Sequence, residues 1–351
     1  MTVKKQYMVG LSGGVDSATT AALLMQQHLI QPIFMQNWEE DDHCHISEDI
    51  QECQNICQHL GCELLTVNFR DAYFSEVFQH SLDLFQQGLT PNPDILCNSR
   101  IKFQLLSDHA KKMGFDGLAT GHYAHIEHRD GQYALLQAPD AVKDQTYFLS
   151  QLSQEQLSYA HFPLGAYCKE DTRRMAREFH LPNAERKDSV GICFIGERKF
   201  DHFLQNYLLT KPGDMVTKEG IVIGQHQGLF CYTIGQRKGL GIGGIKNSQP
   251  SPWYVIEKDL ANNQLILSQN ASDLLKSHVK VEPIHWIRGQ PEQTVLQLKL
   301  RHGPEFVEGT LLDEQTVKFS KPQSAPAPGQ HVVFYHQGEC LGGSMILEAY
   351  T

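Results

Sequence analysis

The stretch from Tyr7 to His28 restricts the fold of this chain more than any other part of its sequence. A short apolar run from Tyr7 to Leu11 is followed by Ser12-Gly13-Gly14, and from Val15 onward apolar residues recur with helical spacing. The pattern predicts a strand, a tight glycine turn and a helix. Adjacent glycines let the backbone pass close to a ligand, and the helix points its unpaired N–H groups and positive dipole end at the turn. The stretch therefore favours a phosphate or a pyrophosphate as ligand.

Other interpretations of this turn can be tested against the amino-acid sequence. A Walker loop ends in Gly-Lys-Ser/Thr and a dinucleotide fingerprint has three spaced glycines, and neither pattern is present. A βα connection that binds nothing remains open, because a glycine-rich turn alone is weak support for a site. Gly10-Leu11-Ser12-Gly13-Gly14 also fits the G-x-S-x-G of a nucleophile elbow. A serine hydrolase with Ser12 as nucleophile is therefore a second function to weigh.

Length and composition limit the class of protein. A chain of 351 residues is too long for one ordinary core and predicts two or three domains. No apolar run approaches the ~18 residues that a membrane span needs, and the first strand starts too close to Met1 for a signal peptide. We therefore expect a cytoplasmic protein without a membrane segment. In that compartment the nine cysteines, none of them in a C-x-x-C pair, should be mostly reduced.

The charge balance bears on nucleic-acid binding. A formal net charge of −10 repels phosphate and argues against indiscriminate binding to nucleic acid. A nucleic-acid partner would need a local basic face and binding that weakens as salt rises. The basic residues expected to gather partly on one face are Lys111, Lys112, Arg173, Arg174, Arg177, Arg186, Lys187, Arg237, Lys238 and Lys299.

Periodicity along the chain predicts an α/β domain followed by β-rich parts. Largely apolar strands are expected over 30–36, 63–67 and 115–120, as in a parallel sheet covered on both faces. Helices are expected over 72–87, 100–113 and 172–180, the first with Phe74, Val77, Phe78, Leu82 and Phe85 inward. The predicted domains are an α/β domain at 1–210, a small β-rich domain at 211–281 and a β-barrel at 282–351.

Histidine and cysteine residues cluster in one part of the α/β domain and raise a zinc hypothesis. Their spacing fits no finger or ribbon pattern, so we expect no structural metal. The residues concerned are His43, Cys44, His45, Cys53, Cys57, His59 and Cys62.

Two further cysteines stand in distinctive surroundings. Two prolines fix the loop that begins at Thr90, and Asn98 or Ser99 is expected to cap a following helix. Cys97 would then lie at a helix N-terminus near Arg100 and Lys102, which lowers a thiol pKa. A buried structural cysteine is the alternative. Cys193 lies between Ile192 and Phe194, and this composition favours a core residue.

With Val15-Asp16-Ser17, the glycine turn completes the SGGxDS signature and resembles the PP-loop ATP pyrophosphatase family. Five further runs occur in order: TPNPDxxCNxxIKF at 90–103, TGHYA at 120–124, KDQTYFL at 143–149, GICFIG at 191–196 and IGQRKGLG at 234–241. Together they resemble the tRNA-specific 2-thiouridylases over nearly the whole chain. The resemblance implies a PP-loop (HUP-like) first domain.

The resemblance also implies a reaction. ATP adenylates the C2 oxygen of the wobble uridine of a tRNA, pyrophosphate leaves, and sulfur from a persulfide on Cys193 replaces the oxygen. Either the terminal sulfur of the persulfide attacks C2, or Cys97 attacks the persulfide and frees sulfide while it forms a disulfide with Cys193. AMP leaves in either case, and Asp94 could move a proton. A tRNA-binding protein that has kept this fold without the chemistry is a third function to weigh.

The same resemblance implies site residues and partners. ATP would be bound with Mg²⁺, which Asp16 would help to place, and the partners would be tRNA and a sulfur-donor protein, with the chain a monomer. The implied ATP-binding residues are Gly10, Leu11, Ser12, Gly13, Gly14, Val15, Asp16, Ser17, Met35 and Gly121. The implied base and tRNA contacts are Asn92, Pro93, Asp94, His122, Lys143, Asp144, Gln145, Arg301, His302 and Gln330.

Overall fold

The computed structural model describes residues 4–38, 46–187, 203–242 and 251–351. The helices are α1 Val15–Met25, α2 Ile46–Leu60, α3 over 70–86, α4 over 93–112, α5 Thr146–Leu149, α6 Gln154–Tyr159 and α7 Lys169–Glu178. The strands are β1 Gln6–Leu11, β2 Leu29–Gln36, β3 Leu65–Asn68, β4 Gly117–Ala119, β5 Ala124–Arg129, β6 Gln132–Gln137, β7 Ala160–His161, β8 Gly213–Thr217, β9 Val222–His226, β10 Tyr254–Asp259, β11 Gln264–Ser268, β12 Leu275–Val281, β13 His285–Trp286, β14 Val295–Lys299, β15 Val307–Leu311, β16 Thr316–Ser324, β17 His331–His336 and β18 Glu339–Tyr350. No helix in these ranges is both long and apolar enough to span a membrane.

The first domain contains a parallel sheet in the order β3-β2-β1-β4-β7. Its central strand is apolar on both faces, and Met8 and Val9 are fully buried. Strand order reverses at β1, because β2 lies on one side and β4 on the other. Ligands of open α/β sheets bind at such a reversal, outside the carboxyl ends of the strands. The predicted α/β architecture is confirmed.

Three predicted helices differ in their details from the observed ones. Phe74 was expected inward but is 41% exposed, because the π-helical turn Phe74–Phe78 interrupts the 3.6-residue period within α3. The predicted start of α4 at residue 100 is wrong, because Asn92 caps a helix that already begins at Pro93. Helix α7 begins at Lys169 instead of 172, where the Asp171 carboxylate accepts from the Cys168 N–H at 3.3 Å.

Two β-rich units follow. The central sheet has the order β10-β11-β8-β9, with Met215, Val255, Leu265 and Leu267 fully buried in its core. The third unit is a six-stranded barrel in the order β12-β16-β15-β14-β17-β18, closed by pairing of β12 with β18. The predicted barrel is confirmed, and its sheet includes residues 275–281, ahead of the boundary expected at 282.

The first domain and the barrel share a sheet and a core. The hairpin β5–β6 pairs with β18, through Leu136 with Glu339 and Leu135 with Cys340. Buried side chains from both units then pack in one cluster, which includes Met8 and Leu118 from the parallel sheet and Val333 and Tyr335 from the barrel. Neither unit can therefore bury its apolar surface completely without the other.

A buried ion pair lies in this junction. The Lys299 ammonium donates to Asp144 Oδ2 at 2.9 Å, and the two side chains are 1% and 0% exposed. The same carboxylate accepts from the Thr146 hydroxyl at 2.9 and 3.0 Å and from the Ala138 N–H at 3.3 Å. The expectation that Lys299 lies on a basic surface is therefore wrong, because its charge is neutralised inside the molecule.

Removing one partner of this pair should destabilise the protein strongly. Asp144→Ala leaves an uncompensated buried ammonium and should lower the free energy of unfolding by about 3–5 kcal/mol. The double variant Asp144→Ala/Lys299→Met should be more stable than the single variant, because no charge is then buried. Urea unfolding followed by fluorescence measures both effects. Glu155→Gln, which breaks the exposed pair with Lys111, is the control and should change little. Equal stability of the single variant and this control would contradict the assignment.

Candidate functional site

The residues with predicted functions converge on the carboxyl ends of β1 and β4. The turn Ser12-Gly13-Gly14 follows β1, and residues 120–123 follow β4, on either side of the reversal in strand order. Helix α4 packs against this end of the sheet: the Phe103 ring lies 5.7 Å from that of His122, and Cys97 shares a core cluster with Leu11 and Val15. The fold therefore brings together motifs that are far apart in the sequence.

The glycine turn has the geometry that its sequence predicts. Gly13 has a φ of +76°, which favours glycine, and Gly14 caps α1 in an extended conformation. The Ser17 hydroxyl donates to Gly14 O at 2.9 Å and accepts from the Ser12 N–H at 3.1 Å, so it closes the turn on itself. The exposed Ser12 hydroxyl lies 3.3 Å from Ser17 Oγ. No imidazole in the described ranges hydrogen-bonds to Ser12, so the geometry gives no support to a serine hydrolase.

Two side chains from beyond α7 hold the back of this turn. Asn183 Nδ2 and Arg186 both donate to the Gly13 carbonyl oxygen, at 2.9 and 3.1 Å. Arg186 also pairs with Asp49 of α2 at 2.7 Å, and a Cβ on Gly13 would lie 2.8 Å from its guanidinium. Because a peptide carbonyl and the following N–H point in opposite directions, these bonds direct the Gly14 N–H to the side of the turn opposite Asn183 and Arg186. No pattern in the sequence around Asn183 predicted its contact with the glycine turn.

Asp16 is held by two groups from the first domain. Its carboxylate accepts from the Lys169 ammonium at 2.7 and 2.9 Å and from the Tyr123 hydroxyl at 2.8 Å. The Lys169 side chain is 11% exposed, and its helix start is fixed by the cap at Cys168. Through these contacts Asp16 ties the first turn of α1 to Tyr123 and Lys169. Its role as a magnesium ligand stays a prediction. Lys169 was not among the predicted residues.

Gly121 has a packing role that the sequence did not reveal. A Cβ at this position would lie 2.8 Å from the Asp16 carbonyl carbon and 2.9 Å from the Ser17 nitrogen. The missing side chain therefore lets the first turn of α1 approach the end of β4. The expected approach of a nucleotide at Gly121 stays a prediction beside this role.

Helix α4 presents Asp94, Cys97 and Lys102 along one side. Asn92 caps the helix by accepting from the Asp94 N–H at 3.2 Å, and Cys97, 7% exposed, is the first residue of a π-helical stretch that runs to Leu106. Cys97 and Lys102 are five positions apart. On an α-helix such residues lie about 140° apart around the axis, whereas in a π-helix backbone hydrogen bonds join residues five apart. The stretch therefore turns Lys102 toward the side of Cys97. Cys97 lies in the second turn of the helix, which corrects its expected place at the N-terminus.

The charges along α4 influence one another. Burial raises the pKa of Asp94, and the nearby charges of Lys102 and His302 act in the opposite direction. Lys102 Nζ is oriented by Asn98 Oδ1 at 3.0 Å, and Asn98 in turn donates to Phe148 O at 3.3 Å. Lys102 is therefore a fixed positive charge beside the carboxyl group that was predicted to move a proton.

His122 is a buried neutral residue. It is 9% exposed, packs against the rings of Phe103 and Phe162, and its Nδ1 lies 2.7 Å from the Thr120 hydroxyl. Burial, with a further contribution from Lys102, holds the pKa of the imidazole well below its usual value. His122 therefore packs behind the site, which leaves little of its surface for the predicted contact with a base.

The loop at 143–145 connects the site to the barrel. Gln145 accepts from the Tyr123 N–H through its side chain at 2.9 Å, whereas the Asp144 side chain is committed to Lys299. His302 Nε2 lies 3.1 Å from Asp144 O, and its ring lies 4.8 Å from that of Phe148. Arg301 and His302 are exposed and Lys143 is half-buried, so these three can meet a large ligand.

All three units meet at Thr90, where the loop before α4 begins. The Thr90 N–H donates to Pro328 O at 2.9 Å, and Gln330 Nε2 donates to Thr90 O at 2.7 Å. The Thr90 hydroxyl lies 3.5 Å from that of Thr233 in the central unit. A Cβ on Gly329, whose φ is +93°, would lie 2.5 Å from the Thr90 nitrogen. Gln330, predicted to contact tRNA, therefore supports the loop from the barrel.

Other predicted residues are placed as follows. Gly10 and Leu11 end β1, Val15 begins α1, Pro93 begins α4, and Met35 lies near the end of β2 and packs against the core. Cys193 and the GICFIG run lie outside the described residues, as do His43, Cys44 and His45. In the ranges that are described, no three His, Cys, Asp or Glu side chains are grouped as a metal site would require.

Comparisons with known proteins agree with this architecture. Residues 5–197 match the family model described as the tRNA methyl transferase HUP domain. Residues 201–269 match the tRNA methyl transferase PRC-barrel domain, and residues 276–346 match the aminomethyltransferase beta-barrel domain. Fold and site thus define a HUP-domain protein of the PP-loop type that carries two appended β-rich domains.

Full-length relatives give the family. The tRNA-specific 2-thiouridylase MnmA of Psychromonas ingrahamii is 45% identical to this chain, and the match covers 98% of this chain and 97% of that relative. The MnmA of Coxiella burnetii is 46% identical, with 96% of this chain and 97% of that relative covered. The MnmA of Proteus mirabilis is 45% identical, with 98% and 97% covered. The chain belongs to the tRNA-specific 2-thiouridylase family.

The contacts behind the glycine turn predict an effect on ATP affinity. Asn183→Ala and Arg186→Met each remove one donor to Gly13 O and should weaken ATP binding about five- to tenfold, the effect of one or two ordinary hydrogen bonds. Isothermal titration calorimetry with ATP measures the change. Arg177→Met, which breaks only the exposed pair with Glu185, is the matched control and should bind ATP like the wild type. Unchanged affinity in both correctly folded variants would contradict the role assigned to these contacts.

Proposed function

We propose that this chain catalyses the ATP-dependent 2-thiolation of the wobble uridine of tRNA. The observation that carries the proposal is the placement of Asp94 and Cys97 on the helix that packs beside the SGGxDS turn, at the reversal in strand order. Its further support is the family membership, because the relatives are named for tRNA 2-thiolation.

ATP would activate the base by the chemistry that a carbonyl oxygen requires. The C2 oxygen is a poor leaving group, so it attacks the α-phosphorus of ATP and becomes an adenylate, while pyrophosphate departs. The Gly14 N–H and the N–H groups at the start of α1 would stabilise the charge on pyrophosphate. Mg²⁺ bound with ATP would supply further charge stabilisation.

The base would be bound by the loop before α4 after it leaves the anticodon stack, because the C2 position must be reached by both phosphate and sulfur. Asn92, Pro93 and Asp94 line the start of that helix, and the exposed Arg301 and His302 lie toward the barrel. Asp94 would accept a proton as its carboxylate, which Lys102 helps to keep ionised.

Sulfur would arrive as a persulfide on Cys193, loaded by a sulfur-donor protein. In one route, the terminal sulfur attacks C2 and expels AMP, and Cys97 then attacks the Cys193 sulfur and releases the 2-thiouridine. In the other route, Cys97 attacks the persulfide first, and the sulfide that it frees attacks C2. Both routes end with a Cys97–Cys193 disulfide that must be reduced before the next turnover.

Nucleoside mass analysis tests this function. The wild type, incubated with tRNA, ATP, Mg²⁺ and a persulfide donor, should form 2-thiouridine with one AMP for each thiolated base. Cys97→Ser and Cys193→Ser should reduce the product to background, because each removes a thiol that the sulfur transfer requires.

Cys168→Ser is the control for this experiment. The Cys168 thiol donates a hydrogen bond to the Asp171 carboxylate at 2.9 Å, at the start of α7, and takes no part in the proposed steps. Thiolation without ATP, or full activity in Cys97→Ser, would contradict the proposal. So would a methylated nucleoside in place of the thiolated one.

The charge of Lys102 predicts a shift in the pH dependence of thiolation. Asp94 acts as the carboxylate, so the rate should fall as pH falls through its pKa, which burial has raised. Lys102→Met removes a charge that lowers this pKa, so the acidic limb of the rate profile should move to higher pH. At pH values well above the limb, the rate should approach that of the wild type.

Single-turnover rates measured across pH decide this prediction. Arg100→Met is the matched control, because Arg100 is exposed on the same helix and donates to Glu76 O at 3.2 Å. Its acidic limb should coincide with that of the wild type. A limb that stays in place in Lys102→Met, or moves equally in both variants, would show that Lys102 does not act through Asp94.

A further inference from the structure

Cys57 and Cys62 lie on either side of the turn that ends α2. Gly61 has a φ of +70°, the Cys62 N–H donates to Cys57 O at 3.0 Å, and the Gly61 N–H donates to Gln58 O at 3.2 Å. These two hydrogen bonds and the left-handed glycine define a Schellman motif. In that motif, the residues at the positions of Cys57 and Cys62 normally make an apolar side-chain contact. Here both positions carry thiols.

The two thiols lie next to each other at the helix end. The Cys62 thiol donates to Cys57 O at 3.7 Å, and each thiol influences the pKa of the other. The backbone hydrogen bond between the two residues keeps their Cα atoms near each other, as the window of about 4.4–6.8 Å for a disulfide requires. Rotation of the side chains can therefore join the sulfur atoms without unwinding the helix.

The surroundings of the two thiols differ in a way that suits thiol–disulfide exchange. Cys57 is 2% exposed, whereas Cys62 is half-buried and reaches solvent. Interaction with Cys57 lowers the pKa of the Cys62 thiol, while interaction with Cys62 and burial raise the pKa of Cys57. An accessible thiol that ionises readily can attack a disulfide, and a buried neighbour can then displace the product.

We propose that Cys57 and Cys62 form a redox-active dithiol that reacts with low-molecular-weight disulfides and closes to an intrachain disulfide at the end of α2. The site is separate from the cysteines of the proposed sulfur transfer. It also excludes Cys53, which lies one turn earlier in α2 and whose fully buried sulfur contacts the backbone of Gly13.

The reaction balances in two exchanges. The Cys62 thiolate attacks one sulfur of the small disulfide, forms a mixed disulfide and releases one small thiolate. Cys57 then loses its proton to solvent and attacks the Cys62 sulfur, which releases the second small thiolate and forms the Cys57–Cys62 bond. The dithiol has lost two electrons and two protons, and one small disulfide has become two thiols.

Peptide mapping tests the proposal on the full chain. The protein, in a Cys97→Ser/Cys193→Ser background that removes the two sulfur-transfer thiols, is incubated with glutathione disulfide and then alkylated. A protease that cleaves after glutamate releases residues 53–63 as one peptide that carries Cys53, Cys57 and Cys62. We expect this peptide to carry one alkyl group, on Cys53, and a mass lower by two hydrogen atoms from the new bond.

Variants separate the two exchanges. Cys57→Ala should stop the reaction at a glutathione adduct on Cys62, and Cys62→Ala should leave Cys57 reduced. Cys53→Ala is the matched control and should still form the disulfide. In the reduced protein, Cys62 should be alkylated at least about tenfold faster than the half-buried Cys168, whose thiol is held by a hydrogen bond to Asp171.

The proposal is overturned if the wild-type peptide remains fully alkylated on all three cysteines in the folded protein. It is also overturned if the disulfide joins Cys53 to either partner, or if Cys62 is alkylated no faster than Cys168. In each case the pair would serve only as the apolar contact of the helix end.

Discussion

The pair of charges formed by Asp144 and Lys299 is the constraint on which the arrangement of the site depends. The carboxylate belongs to the first domain and the ammonium to the barrel, and both are withdrawn from water. Such pairs contribute little net stability, but they penalise strongly any arrangement that separates them. Because Thr146 and the Ala138 N–H bind the same carboxylate, the loop at 138–146 is held at both of its ends. His302 is placed by the carbonyl of the same residue.

The glycine turn shows how a phosphate site can be prepared by contacts on its far side. The Gly13 carbonyl is occupied by Asn183 and Arg186, Asp16 is occupied by Lys169 and Tyr123, and Gly121 lets α1 come close. The Ser12 N–H is bonded to Ser17 Oγ and the Gly13 backbone contacts the Cys53 sulfur, so the Gly14 N–H and the first N–H groups of α1 are the donors that a ligand of the turn would meet. A ligand there would meet donors that are already oriented, so binding would require little reorganisation of the protein.

The sequence predicted the features that depend on neighbouring residues. An apolar strand, a glycine turn and a helical period follow one another within a few residues. The positions of β1, the turn and α1 were therefore predicted correctly from the sequence. The barrel and the parallel sheet were also predicted. Helix starts were displaced where a side-chain cap decides them, as at Asn92 and Asp171, because several residues nearby could have served as caps.

Contacts between distant residues could not be predicted in the same way. Lys299 was predicted to be a surface residue, because its ion-pair partner Asp144 lies 155 positions away in the sequence. Asn183 and Lys169 meet the turn from more than 150 positions away, and no pattern in their own surroundings marks them. The π-helical stretch that begins at Cys97 likewise departs from the period on which helix prediction depends.

Strand β18 has a consequence for how the molecule is made. It pairs with β6, β12, β13 and β17, so residues 339–350 complete a sheet whose other members are distributed from residue 124 onward. During synthesis, the hairpin β5–β6 emerges from the ribosome some 200 residues before the strand that covers its edge. An uncovered strand edge readily pairs with other chains. The nascent polypeptide must therefore keep this edge shielded for most of its translation, and slow elongation late in the message would prolong its exposure to misassembly.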